Sequence, residues 1–161
     1  MPKPISMDLH NQFVQKYFEP FHTQVRGIYE DFRKIGLKKI YHIDAHSMPS
    51  MGTSAHKDPG QKRAEIVVSD QEGKSCEKEF KDLVIAAYTD AGFQVAYNWP
   101  YVGGRVTQTY GQPKLGQHVI QVELNRALYM DEETKKFKEK EAEIVAQKIA
   151  TAFTRIEKEL T

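Results

Sequence analysis

The chain has 161 residues, a length that supports one domain with its own core, so a single domain over residues 1–161 is expected. Lys plus Arg number 23 against 22 Asp plus Glu, a formal charge of +1, and no basic stripe interleaved with aromatics appears, which argues against nucleic acid as a partner. No apolar run approaches the roughly 18 to 20 residues that span a bilayer. The N-terminal MPKPISMDLH lacks the pattern of a signal peptide and the lone Cys76 can close no intramolecular disulfide, so a soluble, cytoplasmic protein is expected.

From Asp8 to about Ile35, apolar residues recur at steps of three and four, from Leu9 and Phe13 to Phe32 and Ile35, which predicts a helix. Pro20 kinks or divides it, having no backbone N–H to give. After Gly36 the segment LKKIYHI reads as a strand that ends at the motif DAHSMPSMG. Pro49 to Lys62 reads as a loop and AEIVVS as a second strand. Glu77 to Ala91 has helical spacing through Phe80, Val84 and Ala87, with Gly92 as its stop. FQVAYN is a third strand, and a long connection leads to a fourth, HVIQVEL. Glu133 to about Leu160 predicts a charged amphipathic helix with Ile144, Val145, Ile149, Ala152, Phe153 and Ile156 inward. Strands alternating with helices give an α/β fold, its mixed or mostly parallel sheet flanked by helices.

Ligands collect at the carboxyl ends of strands in such sheets, and three strands here end in chemically capable residues: HIDAHS, VAYNWPY and VELNR. Side chains alternate along an extended strand, so His42, Asp44 and His46 share a face. A metal could meet more than one of them, or His46 could be an ordinary hydrogen-bonded histidine at a strand end; His42, inside the apolar run, suits packing better than ligation. Glu123 lies in an apolar strand, where a carboxylate serves either as a general base of raised pKa or in a salt bridge to Arg126 or Arg105. Gly103 and Gly104 let backbone approach a ligand, or make only a turn. Cys76 lacks a spaced activating partner, and Ser47 lacks the flanking glycines of a nucleophile elbow.

The segments DAHSMP (Asp44 to Pro49), AEIVVSDQEGKSC (Ala64 to Cys76), YNWPYVGG (Tyr97 to Gly104), YGQP (Tyr110 to Pro113) and IQVELNRALYMDEE (Ile120 to Glu133), in this order, resemble the N-formylglutamate amidohydrolase family. That resemblance implies a hydrolase/phosphorylase-like fold similar to zinc carboxypeptidases. It also implies cleavage of an N-formyl or N-acyl amino acid by metal-activated water, in histidine degradation. On the same resemblance His46 is a zinc ligand supported by Asp44, and Glu123 is the general base. Asn98, Tyr101, Gly103 and Gly104 would wall the substrate pocket, and Arg126 would meet the carboxylate of a small acidic amide substrate. Family members carry further His and Glu zinc ligands in a longer N-terminal region that this sequence lacks, and neither His10 nor His22 replaces them. Ser69 stands where the family usually has Gly, and Gln108 where a basic residue is common. Three readings follow: a shortened metal-dependent amidohydrolase, a degenerate member that binds a small ligand or a protein without turnover, or a chain whose metal site a second polypeptide or a symmetry mate completes. Loss of strands from the sheet would expose an edge, which predicts homodimerisation or poor solubility.

Overall fold

A computed structural model describes residues 4–161, which divide into two compact units, residues 4–40 and 41–161. In the first, α1 (Met7–Phe13) starts where the Ser6 hydroxyl accepts the Leu9 N–H at 3.2 Å. A π-helical turn, Val14–Phe18, links it to α2 (Glu19–Lys34), and Pro20 lies in the first turn of α2. Proline offers no N–H to the preceding turn, so the run expected to break at Pro20 instead widens just before it. Gly36 N donates to the Arg33 carbonyl and Leu37 N to that of Phe32, closing α2 in a Schellman arrangement. Phe13, Tyr17, Phe21, Ile28, Phe32 and Ile35 are exposed, whereas His22 and Tyr29 are buried.

The second unit is α/β. Its sheet contains β1 (Ile40–Met48), β2 (Ile66–Ser69), β3 (Val95–Tyr97) and β4 (Gln117–Asn125) in the order β1-β4-β2-β3. β2 and β3 are parallel, with Val68 opposite Tyr97, and α3 (Lys78–Asp90) forms the crossover between them. β2 and β4 are antiparallel, with Ile66 opposite Leu124 and Ser69 opposite Gln121, so the sheet is mixed. Ile66 and Val68 of β2 and Ile120 and Val122 of β4 form a core with Phe80, Val84, Ala87 and Tyr88 of α3 and Val145, Ala152 and Ile156 of α5 (Glu139–Leu160). Alternate residues of the two strands thus face the helices, as the twofold repeat of a strand requires. α3 ends at Gly92, whose φ of 85° is a conformation that a side chain would disfavour; Phe93 N reaches back to the Tyr88 carbonyl at 3.1 Å.

Three expectations are corrected. β1 does not stop at the motif but runs through it to Met48, so Asp44 and His46 are strand residues. α5 begins at Glu139, because Asp131 accepts from Glu133 N, Thr134 N and the Thr134 hydroxyl and bends residues 131–136 into a turn. Ile144 and Phe153 of α5 point to solvent, since the buried stripe runs through Val145, Ala152 and Ile156. The long connection before β4 holds a short helix that the periodicity did not reveal, α4 (Arg105–Tyr110).

Candidate active site

β1 and β4, neighbours in the sheet, deliver His46 and Glu123 to one cavity of about 430 Å³. Gln121 lines it from β4, Pro100 to Gly104 from the segment after β3, and Ala55 to Asp58 from the loop after β1. Two residues apart on one strand face, Asp44 and His46 meet with 3.0 Å between Asp44 Oδ2 and His46 Nε2. His42, partly buried on the same strand, stands away from the cavity lining; burial pushes its imidazole pKa down and Asp44 pushes it up.

Glu123 is buried, and its carboxylate makes neither of the salt bridges open to it in the sequence: Arg126 faces Glu132 at 3.8 Å, and Arg105 donates to Gln108. It accepts instead from Gln121 Nε2 at 2.8 Å. Burial pushes the Glu123 carboxyl above its ordinary pKa; Asp44 acts in the same direction, and His46, Arg63 and the Gln121 N–H oppose. Gln121 has no freedom to turn away, because its Oε1 accepts the Gly104 N–H at 2.6 Å. A Cβ on Gly104 would sit 2.9 Å from that oxygen, so the absence of a side chain is what permits the approach. Gly103, with φ 109°, gives its carbonyl to Gln71 Nε2 at 2.6 Å.

The loop wall is held from below by a buried ion pair. Arg63 forks onto both Asp58 oxygens at 2.7 and 2.8 Å, and donates through Nη1 to the Tyr101 hydroxyl at 2.8 Å and the Pro49 carbonyl at 3.2 Å. One guanidinium thereby fixes both the loop and Tyr101. Ser69 donates to the Tyr101 carbonyl at 2.8 Å and ties the same segment to β2.

Of the residues expected at the site, the structure gathers His46, Tyr101, Gly103, Gly104 and Glu123 at the cavity, with Asp44 behind His46. Asn98 is occupied elsewhere: its side chain donates to Asp70 Oδ1 and accepts from Asp70 N, in a left-handed backbone conformation at φ 52°. Arg126 follows β4 in a 3-10 turn with its Nε toward Glu132, outside the cavity lining. Gln121, His56, Lys57 and the Asp58–Arg63 pair were not anticipated. Gln121 was within reach of the sequence, since it lies two residues before Glu123 and shares its strand face.

Zinc, which the resemblance implies, would meet His46 and Asp44 here. Among the described residues no group of three His, Cys, Asp or Glu side chains could hold a metal ion. A catalytic zinc usually has three protein ligands, so these residues alone do not make a complete zinc site. Nor, among the described residues, is any helix long and apolar enough to cross a membrane.

Residues 1–130 match the model of the N-formylglutamate amidohydrolase family. The chain belongs to that family. Curated relatives include N-formylglutamate deformylases of Pseudomonas aeruginosa, 28% identical over 125 residues, and of Pseudomonas putida, 27% identical over 123 residues. These alignments take in 76% and 75% of this chain but 45% and 44% of the relatives, so the chain spans under half their length. Among solved structures, an N-formylglutamate amidohydrolase from Ralstonia eutropha superposes with a TM-score of 0.78 at 23% identity, over 96% of this chain and 55% of that one. A gene product of Agrobacterium tumefaciens gives 0.60 at 19% identity, over 95% and 57%. Both share the fold.

Proposed function

We propose that the cavity is a hydrolytic site of the N-formylglutamate amidohydrolase type, acting on the amide of a small acidic N-formyl or N-acyl amino acid. The observation that carries this reading is the position of Glu123: a buried carboxylate of raised pKa that makes no salt bridge among the described residues, on a cavity it shares with His46. A carboxylate so placed is suited to take a proton from water at near-neutral pH. The oxygen of that water attacks the acyl carbon, the C–N bond breaks, and the proton held by Glu123 passes to the departing amine. Gln121 orients the carboxylate throughout. Tyr101 to Gly104 form the opposite wall, kept in register by Arg63 and Ser69. His46, backed by Asp44, presents an imidazole to the same space, and among the described residues no group of three ligands completes a zinc site. By the same resemblance the reaction belongs to histidine degradation, in the cytoplasm.

Formate release from N-formyl-L-glutamate, followed with and without added zinc, tests this reading. The wild type should release formate, and Glu123→Gln should reduce the rate by about 10²- to 10⁴-fold. No release under either condition, or an unimpaired Glu123→Gln, contradicts it. That no group of three metal ligands occurs among the described residues favours a second reading, in which this chain holds the same acidic amide without turnover; binding without formate release distinguishes it.

A further inference from the structure

The cavity has a basic wall that no expected substrate-binding residue supplied. The charged or titratable side chains lining it are His46, His56, Lys57, Asp58, Tyr101 and Glu123. Asp58 is paired with Arg63 at two points, and one Glu123 oxygen accepts from the Gln121 amide. Among the described residues, Lys57 is then the only Lys or Arg on the lining, since Arg126 turns to Glu132 and Arg105 to Gln108.

Its neighbour His56 has a defined polarity. His56 Nδ1 accepts the Thr53 backbone N–H at 3.0 Å, so in the neutral ring the proton resides on Nε2, leaving an N–H donor. His56 also meets the Tyr101 ring edge-on, with centroids 6.4 Å apart. An ammonium and an imidazole N–H on consecutive residues, next to a loop anchor buried at Asp58 and Arg63, present two donors to an anion. Nothing on the walls formed by β1, β4 and residues 100–104 offers a comparable cation.

We propose that His56 and Lys57 are the carboxylate subsite of this cavity, taking the place expected of Arg126. The inference rests on the reading of the cavity as an acyl-amino-acid site, and it names the class of ligand: an N-acyl amino acid whose free carboxylate meets the loop while its amide lies toward Glu123. Loop residues thereby select acidic substrates, and strand residues act on the amide.

Calorimetric titration of the full chain with N-formyl-L-glutamate and with its uncharged diamide tests the assignment. Lys57→Met should weaken binding of the dicarboxylate about fivefold to tenfold, Lys57→Glu should weaken it further, and His56→Phe should also weaken it. The diamide should bind all variants alike, and the advantage of the dicarboxylate should shrink as salt is raised. Unchanged affinity in the Lys57 variants, equal loss for the diamide, or a larger loss in Arg126→Met than in Lys57→Met overturns the assignment while leaving the acyl-amino-acid reading in place. Failure of the wild type to bind either compound overturns both.

Discussion

Gln121 donates to Glu123 at 2.8 Å while its own carbonyl is pinned by the Gly104 amide at 2.6 Å, so a backbone N–H two segments away fixes the direction of a carboxylate. Only one orientation of the Gln121 amide satisfies both contacts. Gln121→Leu removes the N–H that opposes the effect of burial, so the Glu123 carboxyl titrates at a still higher pH than in the wild type. Carbon-13 titration of labelled glutamate carboxyls checks this directly. In the activity proposed, the acid limb of the pH–rate profile moves to higher pH and the rate at pH 7 falls about tenfold. An unmoved titration shows that Gln121 has no hold on Glu123.

The same raised pKa has a consequence for stability. Folding binds the Glu123 proton more tightly than the unfolded chain does, so this group's contribution is fully present below its unfolded value, about 4.3, and is lost as pH rises through the higher folded value. Glu123→Gln, which keeps the hydrogen-bond acceptor and removes the charge, is therefore more stable than the wild type at pH 8 and equal to it at pH 4. Urea unfolding at the two pH values measures the difference, and a gap that grows toward acid contradicts the sign.

Arg63→Met leaves Asp58 buried beside an apolar chain, and lowers Tm by on the order of 10 °C at pH 7. The hydrogen bond from Arg63 holds the Asp58 carboxyl below its usual pKa, so the pair stabilises above the ordinary aspartate range and ceases to do so as pH falls through the folded value. The difference between wild type and variant accordingly narrows at strongly acidic pH. The double variant Arg63→Met/Asp58→Leu regains most of the loss, and thermal melts that show the two substitutions to be additive count against a coupled pair.

Burial, reinforced by Asp70, pushes the Cys76 thiol up to about 12 from a usual 9.0. At pH 8 its thiolate population is about a thousandfold below that of a free cysteine. Iodoacetamide should leave the native chain unmodified over hours and alkylate it once in urea, with mass spectrometry as the readout; rapid native labelling would exclude the buried placement.

Among the described residues, β1 has a neighbour in the sheet on one side only, and Ala45, His46 and Ser47 along it are exposed. Such an edge pairs readily with another strand, which argues for self-association. Sedimentation should show an average mass that rises with concentration and falls in Ala45→Lys, where a charge interrupts the edge. A clean monomer at high concentration, identical in the variant, rejects this route.

Much of the site could be read before the fold. Strand alternation places Asp44 beside His46, and an acid in an apolar strand marks Glu123; both follow from local physics. Phe80, Val84 and Ala87 fixed the face of α3 for the same reason. The parts that escaped depend on partners distant in sequence. Asn98 reads as a pocket residue until Asp70, 28 positions earlier, is seen to occupy its side chain. Arg126 reads as an anion binder until Glu132 turns up beside it. The start of α5 was missed because Asp131 offers the backbone a competing turn, which helical periodicity does not register. Lys57 and His56 lie in a loop without periodicity, which the Asp58–Arg63 pair and backbone bonds such as Arg63 N to the Ser50 carbonyl hold at the cavity.

The cavity between His46 and Glu123 is proposed to receive a small acidic amide. Titration of the nitrogen-15-labelled chain with N-formyl-L-glutamate, read as amide chemical shifts, tests it most directly. Saturable shifts are expected, concentrated at His46, residues 55–58, Tyr101 to Gly104 and Gln121 to Glu123, with α5 unmoved. No shifts at millimolar ligand, or saturable shifts confined to other surfaces, would contradict it.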